Sequence, residues 1–238
     1  MRNSGIKVNS VPRCSVSKLG EYVSSQSSPA RRREIVKSQK YPPTYKVVTY
    51  APATRSVVDL ASVAFDADEM MEAMSGFAFD LDAAVTTYDR TQAKCCLDAL
   101  KSFQGISESL ALAIANCSAA PGPQTWSIEL AGVKVSLRPE LFLDFEGKNG
   151  KRHVGFVKLY FSKSHKLDEH SAAVIGAVIC EKARQVMPNS TISNQHVLVV
   201  DVFAGRIYRV PNRQARLLKE AVAACEEIAL FWNRELAS

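Results

Sequence analysis

The hydrophobic positions of this chain change period near its middle. Up to about residue 120 they recur every three or four residues, as on helices; beyond it they alternate or run unbroken, as on strands. In the first half, Leu19, Tyr22 and Val23 share a helical face behind Ser15 or Ser17 as cap. Ser28 and Pro29 open a second helix, which Pro42-Pro43 closes. A short β-like run, YKVVTY over 45–50, precedes a helix bearing Val57, Val58, Leu60, Ala61, Ala64 and Phe65. Met70, Met71 and Met74 follow as core filler, and further helix covers 81–119 with an interruption near Gly105. Pro121-Gly122-Pro123 marks the entrance to a β-rich centre. Residues 1–14 lack periodicity and are expected to form a flexible tail, leaving a helical region over 15–122 and an α/β core over 123–238.

Within that core Thr125 to Leu130 alternates, Ala131-Gly132 turns, and 133–145 is expected to be one long strand. Its Val133, Val135, Leu137, Leu141, Leu143 and Phe145 share a parity and hence one face. Asn149-Gly150 is a hairpin signal. The return strand spans 153–161, with Phe156, Lys158 and Tyr160 on one face and Val157, Leu159 and Phe161 on the other. A helix over 168–187, an apolar strand QHVLVVDVF, its partner RIYRVP and a closing helix capped by Asn212 complete the pattern. The order predicts an α/β fold, a mixed β-sheet flanked by helices behind a helical N-terminal half.

Composition narrows the choice of partner. The 238 residues carry a net charge of +6, which favours acidic partners, nucleic acid before anionic membrane. Arg31, Arg32, Arg33, Lys37 and Lys40 form the densest basic patch, either a solvated helix face or a phosphate-contacting surface. Six scattered cysteines without a CxxC pair imply reduced thiols. The opening residues show no apolar leader and no run approaches the roughly 20 residues of a membrane span, so a cytoplasmic protein without a membrane partner is expected. His153, His165, His170 and His196 lack zinc-binding spacing, and neither GxGxxG nor GxxxxGK[ST] occurs, which argues against a nucleotide cofactor. Phosphodiester chemistry or simple binding remains.

Lys158 is the residue that asks for chemistry. A lysine within an apolar strand must reach solvent or meet an anion, because burying it alone is costly. With Pro139-Glu140 lying 18 positions before it, the segment from Trp126 to Trp232 resembles the core of the PD-(D/E)XK, or restriction-endonuclease-like, nuclease superfamily. In that superfamily an acid preceded by proline, a second acid and a lysine converge on a divalent metal and the scissile phosphate. The resemblance implies a nucleic-acid-associated protein, a Mg²⁺-dependent nuclease with Glu140, Asp144 and Lys158 at its centre. Glu140, Asp144 and Glu169 would hold the metal, with Asp168 or Glu181 as further acids, and Arg31, Arg32, Arg33 and Lys37 would contact nucleic acid.

The chain departs from the superfamily at Phe156, which stands where the second acid is expected two residues before the lysine. The alternative is therefore a catalytically inactive nuclease-like domain that binds nucleic acid or a protein partner. Without any such relationship, Glu140 pairs with Arg138 or Lys158 as a surface salt bridge and Asp144 simply precedes a turn. The spacing of Ser15, Ser17, Leu19 and Tyr22 is also similar to the opening helix of RecB-type exonuclease domains, where a Cys-Pro pair follows; here Ser28-Pro29 does.

Overall fold

The computed structural model describes residues 7–25, 28–45, 47–147 and 150–234. It is a mixed α/β protein of seven helices and two mixed sheets among those residues. The larger sheet has the order β2-β5-β6-β7-β8, formed by β2 (Ser118–Pro121), β5 (Leu141–Glu146), β6 (Arg152–Tyr160), β7 (Thr191–Asp201) and β8 (Arg206–Arg209). The smaller sheet joins β1 (Arg13–Ser15), β4 (Val133–Leu137) and β3 (Trp126–Leu130) in the order β1-β4-β3. The helices are α1 (Val16–Ser24), α2 (Pro29–Lys40), α3 (Ala51–Ser62), α4 (Ala67–Ala83), α5 (Thr87–Ile114), α6 (Glu169–Val186) and α7 (Ala215–Arg234). None among the described residues is long and apolar enough to cross a membrane.

The centre of the large sheet is apolar on both parities because both of its faces are covered. Val154, Phe156 and Tyr160 of β6 and Val197 and Val199 of β7 enter one core with α1, α2, α6 and α7. Val157, Leu159, Leu198 and Val200 point the other way, into a second core with α3 and α5. β6 and β7 run parallel and α6 makes the crossover, whereas β5 is antiparallel to both of its neighbours, β2 and β6. Local signals set the helix starts. Ser15 caps α1, Ser28 with Pro29 starts α2, and Asp168 and Ser171 form a reciprocal capping box on α6.

Several elements differ from the expectation. The long strand over 133–145 is two strands in two sheets, broken at Arg138-Pro139-Glu140, where proline has no N–H to donate to a ladder. Equal parity therefore does not mean one face: Val133, Val135 and Leu137 belong to one core, Leu141 and Leu143 to the other. YKVVTY forms no strand in its described residues, and Lys46 lies outside them; Thr49 is instead pinned by Gln92 through main-chain N–H and C=O. The end of the supposed tail forms β1, parallel to β4, with Cys14 buried; residues 1–6 lie outside the description. α1 and α2 pack on one face of the large sheet and α3 and α5 on the other, so the helices of the N-terminal half straddle the sheet. Of the methionines, Met70 is buried, Met74 is partly so and Met71 is exposed. Asn212 stands three residues before α7, which begins at Ala215, and its side-chain oxygen accepts from Asn194 Nδ2 at 3.3 Å. Asn149 lies outside the described residues, while Gly150 has a φ of 70°, the left-handed region that favours glycine.

α5 runs without a break through Gly105. A methyl group there would meet nothing within 4 Å, so glycine contributes only its backbone freedom. Gly105→Ala is expected to stabilise by about 0.5–1 kcal/mol. Thermal unfolding followed by far-ultraviolet dichroism checks this; a lower midpoint would contradict it.

Candidate functional site

The strand break that sequence periodicity passes over creates the site. Pro139 ends the reach of β4, and Glu140 sits at the first rung of β5, where its N–H bonds to Val157 O at 2.7 Å. Gly122 donates its N–H to Glu140 O at 2.8 Å and fixes the other side of the same residue. The β5–β6 register pairs Leu141 with Val157, so one step further Glu140 stands across from Lys158. Lys158 Nζ lies 2.5 Å from Glu140 Oε1 and also donates to Arg138 O at 3.0 Å. The second carboxylate oxygen accepts the Leu159 N–H, a main-chain donor that has run past the end of β5. Glu140 thus closes the ladder with its side chain while neutralising Lys158.

Both side chains are almost enclosed, at 10% exposure for Lys158 and 12% for Glu140. Burial pushes the Glu140 carboxyl above its ordinary range, against the opposing pull of Lys158 and of the hydrogen bonds it accepts. This is a nearly buried, fully hydrogen-bonded ion pair, unlike the solvent-screened surface bridge of the simplest sequence reading.

The remaining expected acids lie elsewhere. Asp144 is four residues along β5, roughly 13 Å away at strand rise, and forms a bidentate pair with Arg152 at 2.6–3.0 Å. That hydrogen bonding holds its carboxyl below the usual range. Phe156 is fully buried between Trp126 and Phe142, with ring centroids 5.2 and 5.6 Å away. Asp168 caps α6, Glu169 is exposed on its first turn, and Glu181 pairs with Arg184 at 3.7 Å. Among the described residues no three His, Cys, Asp or Glu side chains gather so as to hold a metal ion. At Lys158 the donor set is one carboxylate whose two oxygens are already taken by an ammonium and an N–H. A single carboxylate already neutralised by an ammonium offers a divalent ion less than the set of acids expected from the resemblance.

The basic helix is also partly committed inward. Arg31 binds Glu34 at 2.8 Å and Glu21 at 3.4 Å, and Arg32 binds Glu227 at 2.6 Å while stacking on Tyr22. Lys40 is buried and donates to Trp232 O at 2.6 Å, satisfying a carbonyl near the end of α7. Arg33 and Lys37 remain exposed.

Two buried acids escaped the sequence reading. Buried Glu21 joins Lys18 at 2.8 Å, Arg31, and the Tyr160 hydroxyl at 3.2 Å. Buried Asp201 ends β7 and accepts the main-chain N–H groups of Leu167 and Ala204. Asp201 did leave a signal, as an acid inside the apolar run VLVVDVF; Glu21 left none.

A second charged surface lies at the Glu140 end of the sheet, with Arg55 and Arg138 beside Asp59 and Glu140. A cleft of about 650 Å³ runs between α3 and the β2–β5 edge, lined among others by Tyr50, Arg55, Arg138 and Glu140. Tyr50 stacks on Phe161 with centroids 5.1 Å apart and meets Phe203 edge-on at 5.5 Å. Beyond Phe203 lies a second depression bearing Lys101, Lys163 and Lys166. Lys163 sits 5.3 Å over the Phe203 ring and binds Asp98 at 2.6 Å; Lys101 and Lys166 are exposed. These residues come from α3, α5, the strand break and the loops after β6 and β7, so only the fold assembles them.

No protein-family model matches this chain, and no curated protein matches it.

Proposed function

We propose that this chain is a nucleic-acid-binding module built on a nuclease-like sheet, in which the Glu140–Lys158 pair organises structure and does not catalyse. The observation that carries this reading is a pair of neighbouring depressions joined by an aromatic cluster: a cleft bearing Tyr50, Arg55 and Arg138, and a second depression bearing Lys101, Lys163, Lys166 and Phe203, with Tyr50, Phe161 and Phe203 in contact between them. Phosphate contact needs accessible cations, and stacking of bases needs ring faces or edges beside them. The open side of the loops that follow parallel strands β6 and β7 is also where ligands of α/β sheets bind. α2 contributes less, because Arg31 and Arg32 are held by carboxylates.

Binding of fluorescein-labelled single-stranded and duplex oligonucleotides at 50 to 300 mM salt tests the proposal. Affinity should fall linearly on a log–log salt plot, and Lys101→Glu with Lys166→Glu should weaken binding about tenfold or more while flattening the slope by about two charges. Absence of binding at the lowest salt would reject it.

A second reading is metal-dependent phosphodiester cleavage. It draws on the β5–β6–α6–β7 order and on an acid after proline facing a strand lysine. Its test is an oligonucleotide cleavage assay with and without Mg²⁺ or Mn²⁺. Metal-stimulated cutting by the wild type that disappears in Lys158→Ala, with the variant still folded, would replace the binding module with an enzyme.

A further inference from the structure

α4 is an unusual helix for its position. Of its 17 residues only Met70 is buried, by packing toward α5 and the second core. Its outer face carries Asp68, Met71, Glu72, Phe79 and Asp82, with Met71 at 52% and Phe79 at 73% exposure. The helix holds Asp68, Glu69, Glu72, Asp80 and Asp82 and no lysine or arginine, in a chain whose net charge is +6. Asp80 and Asp82 fall near its C-terminal end, where the helix dipole is already negative and a cation is favoured. Two exposed apolar side chains set among carboxylates suit a helix that lies in an apolar groove with a basic rim.

The chain itself supplies such a groove. On the opposite face of the large sheet, α2 and α7 flank a depression of about 280 Å³ lined by Pro29, Arg32, Leu230, Phe231 and Arg234, with Glu227 engaged by Arg32. Leu230 is 57% exposed in it. Arg33, one helical turn on from Pro29, and Lys37 stand exposed along the same helix. The two surfaces lie on opposite sides of one molecule, so a single chain cannot bring them together.

We propose that α4 of one molecule docks into the α2–α7 groove of a second copy, Phe79 entering beside Leu230 and Phe231 and the α4 carboxylates meeting Arg33 and Arg234. Because the two patches differ, the contact is heterologous and propagates head to tail. An α4-to-α4 pairing is opposed by five like charges on each side. The inference is independent of nucleic-acid binding and does not use the Glu140–Lys158 pair.

Sedimentation velocity of the full chain over roughly 5–300 μM at 50 mM salt should show mass increasing with concentration, and 500 mM salt should reduce it, since the screening length shortens severalfold. Phe79→Ser should weaken association about tenfold or more, in the range of a central aromatic anchor. The α4 variant Glu72→Lys/Asp82→Lys and the groove variant Arg33→Glu/Arg234→Glu should each be monomeric. Mixed together they should associate again in alternating head-to-tail fashion, because the reversed helix fits the reversed groove and the groove variant's native α4 fits the α4 variant's native groove. All the substituted residues are exposed, and unchanged circular dichroism of each variant establishes that the fold is intact. A monomeric wild type at every concentration, association indifferent to Phe79→Ser, or a mixture that stays monomeric would each overturn the proposal.

Discussion

Lys158→Met is expected to destabilise the protein by about 3–5 kcal/mol, since removing one partner of a buried ion pair leaves the other charged and enclosed. For a chain of this size that corresponds to a fall in melting temperature of roughly 6–20 °C. The pH dependence identifies the cause. Burial already raises the folded-state pKa of Glu140 above its ordinary 4.5, so its contribution to stability is most favourable below that value and declines as pH rises through the folded one. Loss of Lys158 raises the folded value further. The deficit of the variant should therefore be largest near neutral pH and shrink as pH falls toward 4.5, where the lone carboxyl takes up a proton. Glu140→Gln should cost less than Lys158→Met at neutral pH, and the double variant less than the sum of the two, which is the mark of coupling. A deficit that stays constant from pH 7.5 to 5 would show that Glu140 is not the stranded charge. Asp144→Asn provides the contrast: its pair with Arg152 is exposed on the surface, and its loss should hardly move the midpoint.

The other large effect is expected at Gly122. A methyl group on this residue would lie 2.0 Å from Pro139 O and 2.9 Å from Pro139 C, both main-chain atoms that cannot rotate away. Gly122 also donates to Glu140 O, so relief of the clash has to separate β2 from the start of β5. Gly122→Ala should cost about 3 kcal/mol or more, at the upper end of overpacking, and lower the urea midpoint with the slope of the transition unchanged. It should also loosen the Lys158 environment, which hydrogen–deuterium exchange at Leu159 N–H would register as lost protection. A variant with wild-type midpoint would mean that the strand edge is far more pliable than its close contacts allow. The comparison with Gly105 is direct: the same substitution is expected to stabilise at one site and to disrupt the other.

Those two glycines define what a linear reading can and cannot recover. Most of the helices followed from local chemistry: the period of apolar residues, Ser15 and Ser28 as caps, Pro29 at a helix start, and the Asp168 turn into α6. These act over three or four residues, so the chain displays them directly. β6 and the apolar half of β7 were likewise legible, because a strand covered on both faces must be apolar at both parities. The mixed α/β class is the sum of these local facts.

The facing of Glu140 and Lys158 was reachable only as a spacing between two residues. What Glu140 does there was not, because its role as the partner of Leu159 N–H depends on where β5 stops. Asp144 shares parity with Glu140, and parity suggested proximity; distance along the strand and the nearby Arg152 decided otherwise. Arg31 and Arg32 looked like free charge until Glu21 and Glu227 arrived from other helices. The second charged surface was invisible, since Arg55, Lys101, Lys163 and Phe203 are far apart in sequence and meet only at the sheet edge. By itself, then, the sequence determined most of the helices, the central strands β6 and β7, and that Lys158 requires an anion, because propensity, capping and desolvation are properties of a residue and its near neighbours. Which sheet each strand joined, which charges were left free and which carboxylate met Lys158 were decided by the tertiary structure, because strand pairing and long-range packing alone set the distances on which ion pairs and clefts depend.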